Sequence, residues 1–254
     1  MKKFRKDAKE AGGVAGRARK DLEKRIKLNY NNSYLPAFAG QALLLLKAQD
    51  FLMFDEVIFD LETKSFFVED GKFDPSRFGV SVLSLYHRKL DEFFKEIEGE
   101  TLSFWEKDFS NMWKIFQNAD RIIGFNSLSF DVPALSPYSP SGFSKLPHFD
   151  ILDELKKKTG HKTSLHKIAK ATLGVQKTDS GENAVLYWEK GDKKSLELLK
   201  KYCEDDVRIT KDIYDYVLKN KSLKFTDYWN NPREIEMNFS YIPMKKDTPQ
   251  ATLF

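Results

Sequence analysis

The stretch Phe54–Thr63, FDEVIFDLET, decides how the rest of the chain is read. Val57, Ile58, Phe59 and Leu61 form an apolar run rich in β-branched residues that closes on acidic and polar ones, the pattern of a strand near the middle of a sheet. Successive side chains of a strand point to opposite faces, so Asp60 and Glu62 project to the same side. One strand end thus offers two oxygen donors to a single site. A domain begins at residue 53, and residues 1–52 read as a basic, partly flexible N-terminal extension.

Working outward from this strand, Phe78–Tyr86 (FGVSVLSLY) alternates apolar and small polar residues and predicts a second strand, with Leu90–Ile97 a weaker third. Three strands in succession suggest an antiparallel meander. Phe109, Met112, Trp113 and Phe116 recur at helical spacing, and Arg121–Phe125 (RIIGF) follows as a short buried strand, a strand–helix–strand crossover. His148–Leu152 predicts a fifth short strand running into a helix. Leu165–Leu173 predicts a helix capped by Ser164, and Ser195–Leu218 one or two helices. The expected fold is α/β: a mixed sheet, antiparallel among its first three strands and parallel later, with helices on both faces. Periodicity fades after Asn220, so the domain is drawn at 53–220 and residues 221–254 as a tail.

Composition narrows the class. With 21 Phe, 10 Tyr and 4 Trp in 254 residues, the chain has ample apolar surface for a core. The single Cys203 excludes an internal disulfide framework and any multi-cysteine metal site, and points to a reducing, cytoplasmic setting. The apolar run Pro36–Leu46 is too short for roughly 30 Å of hydrocarbon, so no membrane span is expected. Residues 1–27 carry eleven Lys or Arg against four Asp or Glu. That surplus of +7, against a net charge of +4 for the whole chain, leaves −3 for residues 28–254. The basic arm reads equally as a nucleic-acid contact and as a solvated terminus.

Two further segments carry chemistry. In GFNSLSFDVPAL, Gly124–Leu135, the buried strand is followed by Asn126, Phe130 and Asp131, placing a carboxylate on the turn or first helical turn beyond a strand, where open α/β sheets bind ligands. In YCEDD, Tyr202–Asp206, residues four apart share a helix face, so Tyr202 lies over Asp206 beside an apolar stripe, while Glu204 and Asp205 point to solvent. If Asp60, Glu62, Asp131 and Asp206 converge, their repulsion demands cations. Hard oxygen donors select Mg²⁺ or Mn²⁺, and two such ions form the clamp used for in-line displacement at phosphorus.

D-x-E on the first strand, N-x₃-F-D after a later strand and Y-x₃-D on a late helix, in that order, resemble the three exonuclease motifs of the DEDD superfamily of ribonuclease H-like 3′→5′ exonucleases. The tyrosine is that of the DEDDy branch; the histidine branch has His five residues before the last Asp, where this chain has Lys201. FDLET, GFNSLSFDVPAL, HFDILDEL, SLHKIAKATLG and YCEDDVRIT are similar to bacterial exonucleases related to the proofreading domain of family B DNA polymerases, over about Phe54–Asn220. The resemblance implies that Asp60, Glu62 and Asp206 hold one metal ion and that Asp60 and Asp131 touch a second. It implies that Tyr202 orients the attacking water and that Asn126 and Phe130 line the terminal-nucleotide pocket. The implied substrate is a single-stranded DNA or RNA 3′ end, DNA if the tail is read as follows.

The last residues, Gln250-Ala-Thr-Leu253-Phe254, resemble the peptide by which bacterial polymerases and repair proteins dock to the sliding clamp. His148, His161 and His166 lack metal-ligand spacing, and Gly174–Gly181 (GVQKTDSG) lacks P-loop spacing and predicts a surface loop. Cys203 has no base beside it and is no nucleophile. The alternative reading keeps the fold without the chemistry: a catalytically inactive nucleic-acid-binding or clamp-tethering module.

Overall fold

A computed structural model of the chain describes residues 53–66, 71–175, 181–227 and 229–241. Five strands form one sheet: β1 (Phe54–Thr63), β2 (Val80–Leu90), β3 (Glu96–Trp105), β4 (Arg121–Gly124) and β5 (His148–Asp150), in the order β3-β2-β1-β4-β5. β1 pairs antiparallel with β2, and β2 with β3; β1–β4 and β4–β5 are parallel. The mixed sheet has the expected sense, with β1 at its centre. Six α-helices are described: α1 (Trp113–Asn118), α2 (Asp131–Leu135), α3 (Ile151–Thr159), α4 (Leu165–Leu173), α5 (Gly181–Lys190) and α6 (Lys193–Asn220).

The alternation of β1 builds the two layers. Val57, Phe59 and Leu61 pack on one face with Phe109, Met112, Phe116, Val132 and Leu135, the side of α1 and α2. Ile58 packs on the other with Ile151, Leu155, Ile168, Val207 and Ile213, the side of α3, α4 and α6. Helices therefore cover both faces, and Asp60 and Glu62 fall on the side of α6. α6 is a single helix of 28 residues, about 42 Å long, capped by Asp192, whose side chain accepts from the Ser195 N–H. Ser164 caps α4 as expected, accepting from the Lys167 N–H.

Two expectations need correction. The third strand is Glu96–Trp105, not Leu90–Ile97. Asp91 accepts from the backbone of Phe93 and Lys95 and turns the chain there, with Phe94 at φ 61°. β3 is an edge strand whose first six residues are exposed, so it carries glutamates where an apolar alternation would have marked it. The fold also runs past residue 220. β6 (Ser222–Thr226) and β7 (Pro232–Glu236) form an antiparallel hairpin, and Leu223, Phe225, Met237 and Phe239 are buried in the α3/α4/α6 core. The predicted loop Gly174–Gly181 begins as a helix end, with Gly174 left-handed at φ 72° closing α4, while residues 176–180 lie outside the described part. The extension 1–52 lies outside it as well.

Candidate active site

α6 crosses the sheet face that carries the even-numbered residues of β1, running opposite to that strand. Tyr214, toward its C-terminal end, donates to Glu56, while Tyr202 and Asp206, nearer its start, stand against Asp60 and Glu62. This antiparallel crossing brings residues some 145 positions apart into one place. Each of Asp60, Glu62 and Asp206 offers a carboxylate oxygen, and the three oxygens lie within 4.8 Å of one another; Glu62 and Asp206 are buried and Asp60 is half-buried. Two ionised carboxylates at that separation repel by roughly 3 kcal/mol at an effective dielectric constant near 20. A carboxylate trio of this size, made of hard oxygen donors, suits one divalent cation such as Mg²⁺ or Mn²⁺.

Asp131 arrives from the opposite layer. It opens α2 and is buried, and it is not one of the three mutual neighbours. Its carboxyl is pushed up to about 7, first by burial and also by the nearby Asp150 carboxylate; its own N–H and that of Leu61 oppose the rise. The Leu61 N–H lies in the chain between Asp60 and Glu62, so Asp131 sits at the same strand end as the trio. Asp131 thus adds a further buried carboxyl at the strand end that carries the trio.

The loop from β4 to α2 sets this position. A Cβ at Gly124 would come within 2.4 Å of the Ser127 side chain, so only glycine lets the loop fold back on the strand end. Asn126 takes a left-handed φ of 62°, which asparagine tolerates, and its carbonyl accepts from Ser129 and Phe130. Asn126 is half-buried. The Phe130 ring lies 6.2 Å from Phe78 and 6.3 Å from Phe73, and Phe73 is exposed. An aromatic shelf therefore adjoins Asp131; of its three rings, only Phe130 was singled out from the sequence.

Tyr202 and Asp206 interact as their spacing predicts: the Tyr202 hydroxyl hydrogen-bonds Asp206. Its proton is held far above the ordinary phenol range, mainly by burial and then by the charges of Asp206, Glu62 and Asp60. The hydroxyl is thus a fixed hydrogen-bonding group in this setting. Cys203 lies behind Asp60, its thiol donating to the Asp60 carbonyl at 3.4 Å, and burial drives its pKa well up, against any nucleophilic role. Glu204 does not simply point to solvent: it accepts from Ser103 of β3 at 2.7 Å. Asp205 pairs with Arg208 on the surface.

Asp150 matters more than its sequence suggests. Buried at the junction of β5 and α3, it accepts from the backbone of Leu152 and Asp153, capping α3, and from Asn126 and Leu128 of the loop. The visible signal was an acidic residue between a short strand and a helix, which marks a cap. Its hold on a second segment leaves no trace in the sequence. Gln250, Leu253 and Phe254 lie outside the described residues.

A family model of the RNase H superfamily matches residues 57–218. No curated protein matches the chain. The matched span opens in β1, closes near the end of α6 and includes every carboxylate of the cluster. Mixed sheet, two helical layers and matched span agree: the chain belongs to the RNase H superfamily.

Proposed function

We propose that the chain is a metal-dependent exonuclease that removes nucleoside 5′-monophosphates from single-stranded 3′ ends, most readily of DNA. The observation that carries this reading is the meeting of Asp60, Glu62 and Asp206 within 4.8 Å, with the Tyr202 hydroxyl bonded to one of them. Asp60, Glu62 and Asp206 would hold one divalent ion, and Asp60 with Asp131 a second. Bound there, such ions supply the Lewis acidity that makes water a competent nucleophile and stabilises the departing 3′ oxygen.

The protein's own groups do the rest. Tyr202, neutral and anchored on Asp206, aligns the water for in-line attack on the terminal phosphodiester. The exposed Phe73 and half-buried Phe130, backed by the buried Phe78, give an unpaired base a stacking surface beside the carboxylates, and Asn126 presents a polar side chain to its sugar-phosphate. The P–O3′ bond breaks; the terminal nucleotide leaves with its 5′-phosphate and the shortened strand keeps a 3′ hydroxyl. Among the described residues no helix is long and apolar enough to cross a membrane. The lone, buried Cys203 supports a cytoplasmic setting.

The test uses DNA and RNA oligonucleotides of one sequence, each blocked at either end, with Mn²⁺ or Mg²⁺. The expected result is stepwise shortening from free 3′ ends only, lost in Asp60→Ala and Asp206→Ala. Parental rates in both variants refute the assignment and leave the inactive binding module. Docking to a sliding clamp through Gln250, Leu253 and Phe254 is a separate proposal. Deleting residues 250–254 should leave cleavage intact and end co-elution with a bacterial clamp, and unchanged co-elution sinks it.

A further inference from the structure

We infer that Asp150 is a positioning residue for the second cation site: through the backbone of the loop 126–130 it fixes where Asp131 stands. The inference rests on the two-ion reading above. The Asp150 carboxylate is buried and its two oxygens divide the work. Oδ1 accepts from the N–H groups of Asn126 at 2.8 Å, Leu152 at 2.9 Å and Asp153 at 3.2 Å. Oδ2 accepts from the N–H of Leu128 at 3.0 Å. One side chain thereby joins the start of α3, a fixed part of the core, to the loop that carries the chain into α2.

That loop has need of an anchor. α2 is five residues long, and its N-cap, Phe130, supplies no side-chain hydrogen bond. The helix instead hangs from the loop, through Val132 N–H donating to Ser127 O at 2.8 Å, next to the Leu128 held by Asp150. Register adds to the hold, since Gly124 pairs with Asp150 in β4–β5 and brings the carboxylate beneath the returning loop. Loosening Leu128 therefore shifts α2 and Asp131, and leaves Asp60, Glu62 and Asp206 on β1 and α6 as they were.

The division between the oxygens makes Asp150→Asn a probe of the loop anchor, read first at the Leu128 amide because the variant also removes a charge that acts on Asp131. An asparagine keeps three hydrogen bonds by putting its carbonyl oxygen at the Oδ1 position, and it still caps α3, a role asparagine fills well. Its amide then faces the Leu128 N–H, donor against donor. Asp150→Ala removes all four acceptors, so failure of that variant to fold would carry no information about the site; Asp150→Asn is the variant to measure.

Three readouts separate positioning from mere stability. In the metal-free protein, exchange of the Leu128 amide should speed up about tenfold or more while that of Leu152 is unchanged. Calorimetry with Mn²⁺ should show the second ion weakened about 10- to 100-fold, the size usual for groups that orient a ligand, with the first altered less than twofold. The melting temperature should move by a few degrees at most. A variant that binds both ions with parental affinity overturns the inference, and so does one in which both ions and the melting temperature fall together. A parent that takes up only one Mn²⁺ refutes the two-ion reading itself, a result distinct from either.

Discussion

Tyr202 and Cys203 are neighbours in the chain and both stand against the carboxylates, yet their surroundings assign them different work. The phenol is bonded to Asp206 and, in the metal-free protein, burial and three negative groups hold its proton in place; in the proposed reaction it orients the water. Tyr202→Phe removes only that hydroxyl. Turnover should fall about 10²-fold, the lower end of what a positioned proton-transfer or water-orienting group contributes, with Mn²⁺ affinity unchanged. Equal turnover would remove Tyr202 from the reaction, and lost Mn²⁺ binding would recast it as a ligand. This pairing was legible in the sequence because helix periodicity places residues four apart on one face. The hold of Asp150 on the loop was not, although an acid at that strand end stands out, because it acts through backbone N–H groups, and backbone partners leave no residue pattern to read.

Elements were legible where a continuous apolar run or a long enough alternation marks them. β1 and β4 are buried throughout or nearly so, and their apolar runs stand out. β3 is exposed over more than half its length, and its charges hid a ten-residue strand. The β6–β7 hairpin was missed for the opposite reason. Only Leu223 and Phe225 of β6 are buried, one residue in two over five positions, too short a pattern to separate from loop. Yet Phe239, just beyond β7, is fully buried, stacks on Tyr214 at 5.8 Å and meets Phe149 at 4.9 Å. Its carbonyl also accepts from Arg121. Phe239→Ala should therefore cost about 3–5 kcal/mol in denaturant unfolding, the usual loss for a buried phenylalanine. A cost under 1 kcal/mol would mean that the hairpin is an accessory to the fold.

At the scale of the whole molecule, the sheet carries charge at both ends and uses it differently. Away from the carboxylate cluster, Arg88, Glu56 and Arg121 occupy one register across β2, β1 and β4. There Glu56 is fully satisfied, by Arg88 on one oxygen and by Tyr214 and Tyr241 on the other. On β5 one titratable side chain is packed among aromatic rings. His148 lies against the Phe59 and Phe143 rings, and its Nε2 meets the Phe143 carbonyl, so Nε2 carries the hydrogen. Its Nδ1 is buried without a hydrogen-bond partner, and burial lowers the ring's pKa below 6.5. The unfolded chain therefore takes up a proton first. The contribution of His148 to stability is whole above about pH 6.5 and is lost as pH falls through that value toward the folded one, by at most about 1.4 kcal/mol per pH unit. Asp131 has the opposite sign in the metal-free protein: its carboxyl, raised to about 7, favours the folded state as pH falls from 7 toward 4. Comparing the parent with His148→Gln in chelator cancels the Asp131 contribution, which both proteins share. The stability difference between them should be constant above pH 7.5 and shift in favour of the variant below about pH 6.5. A difference that stays constant down to pH 5 would mean that the ring accepts its proton in place, with an acceptor reaching Nδ1 in solution.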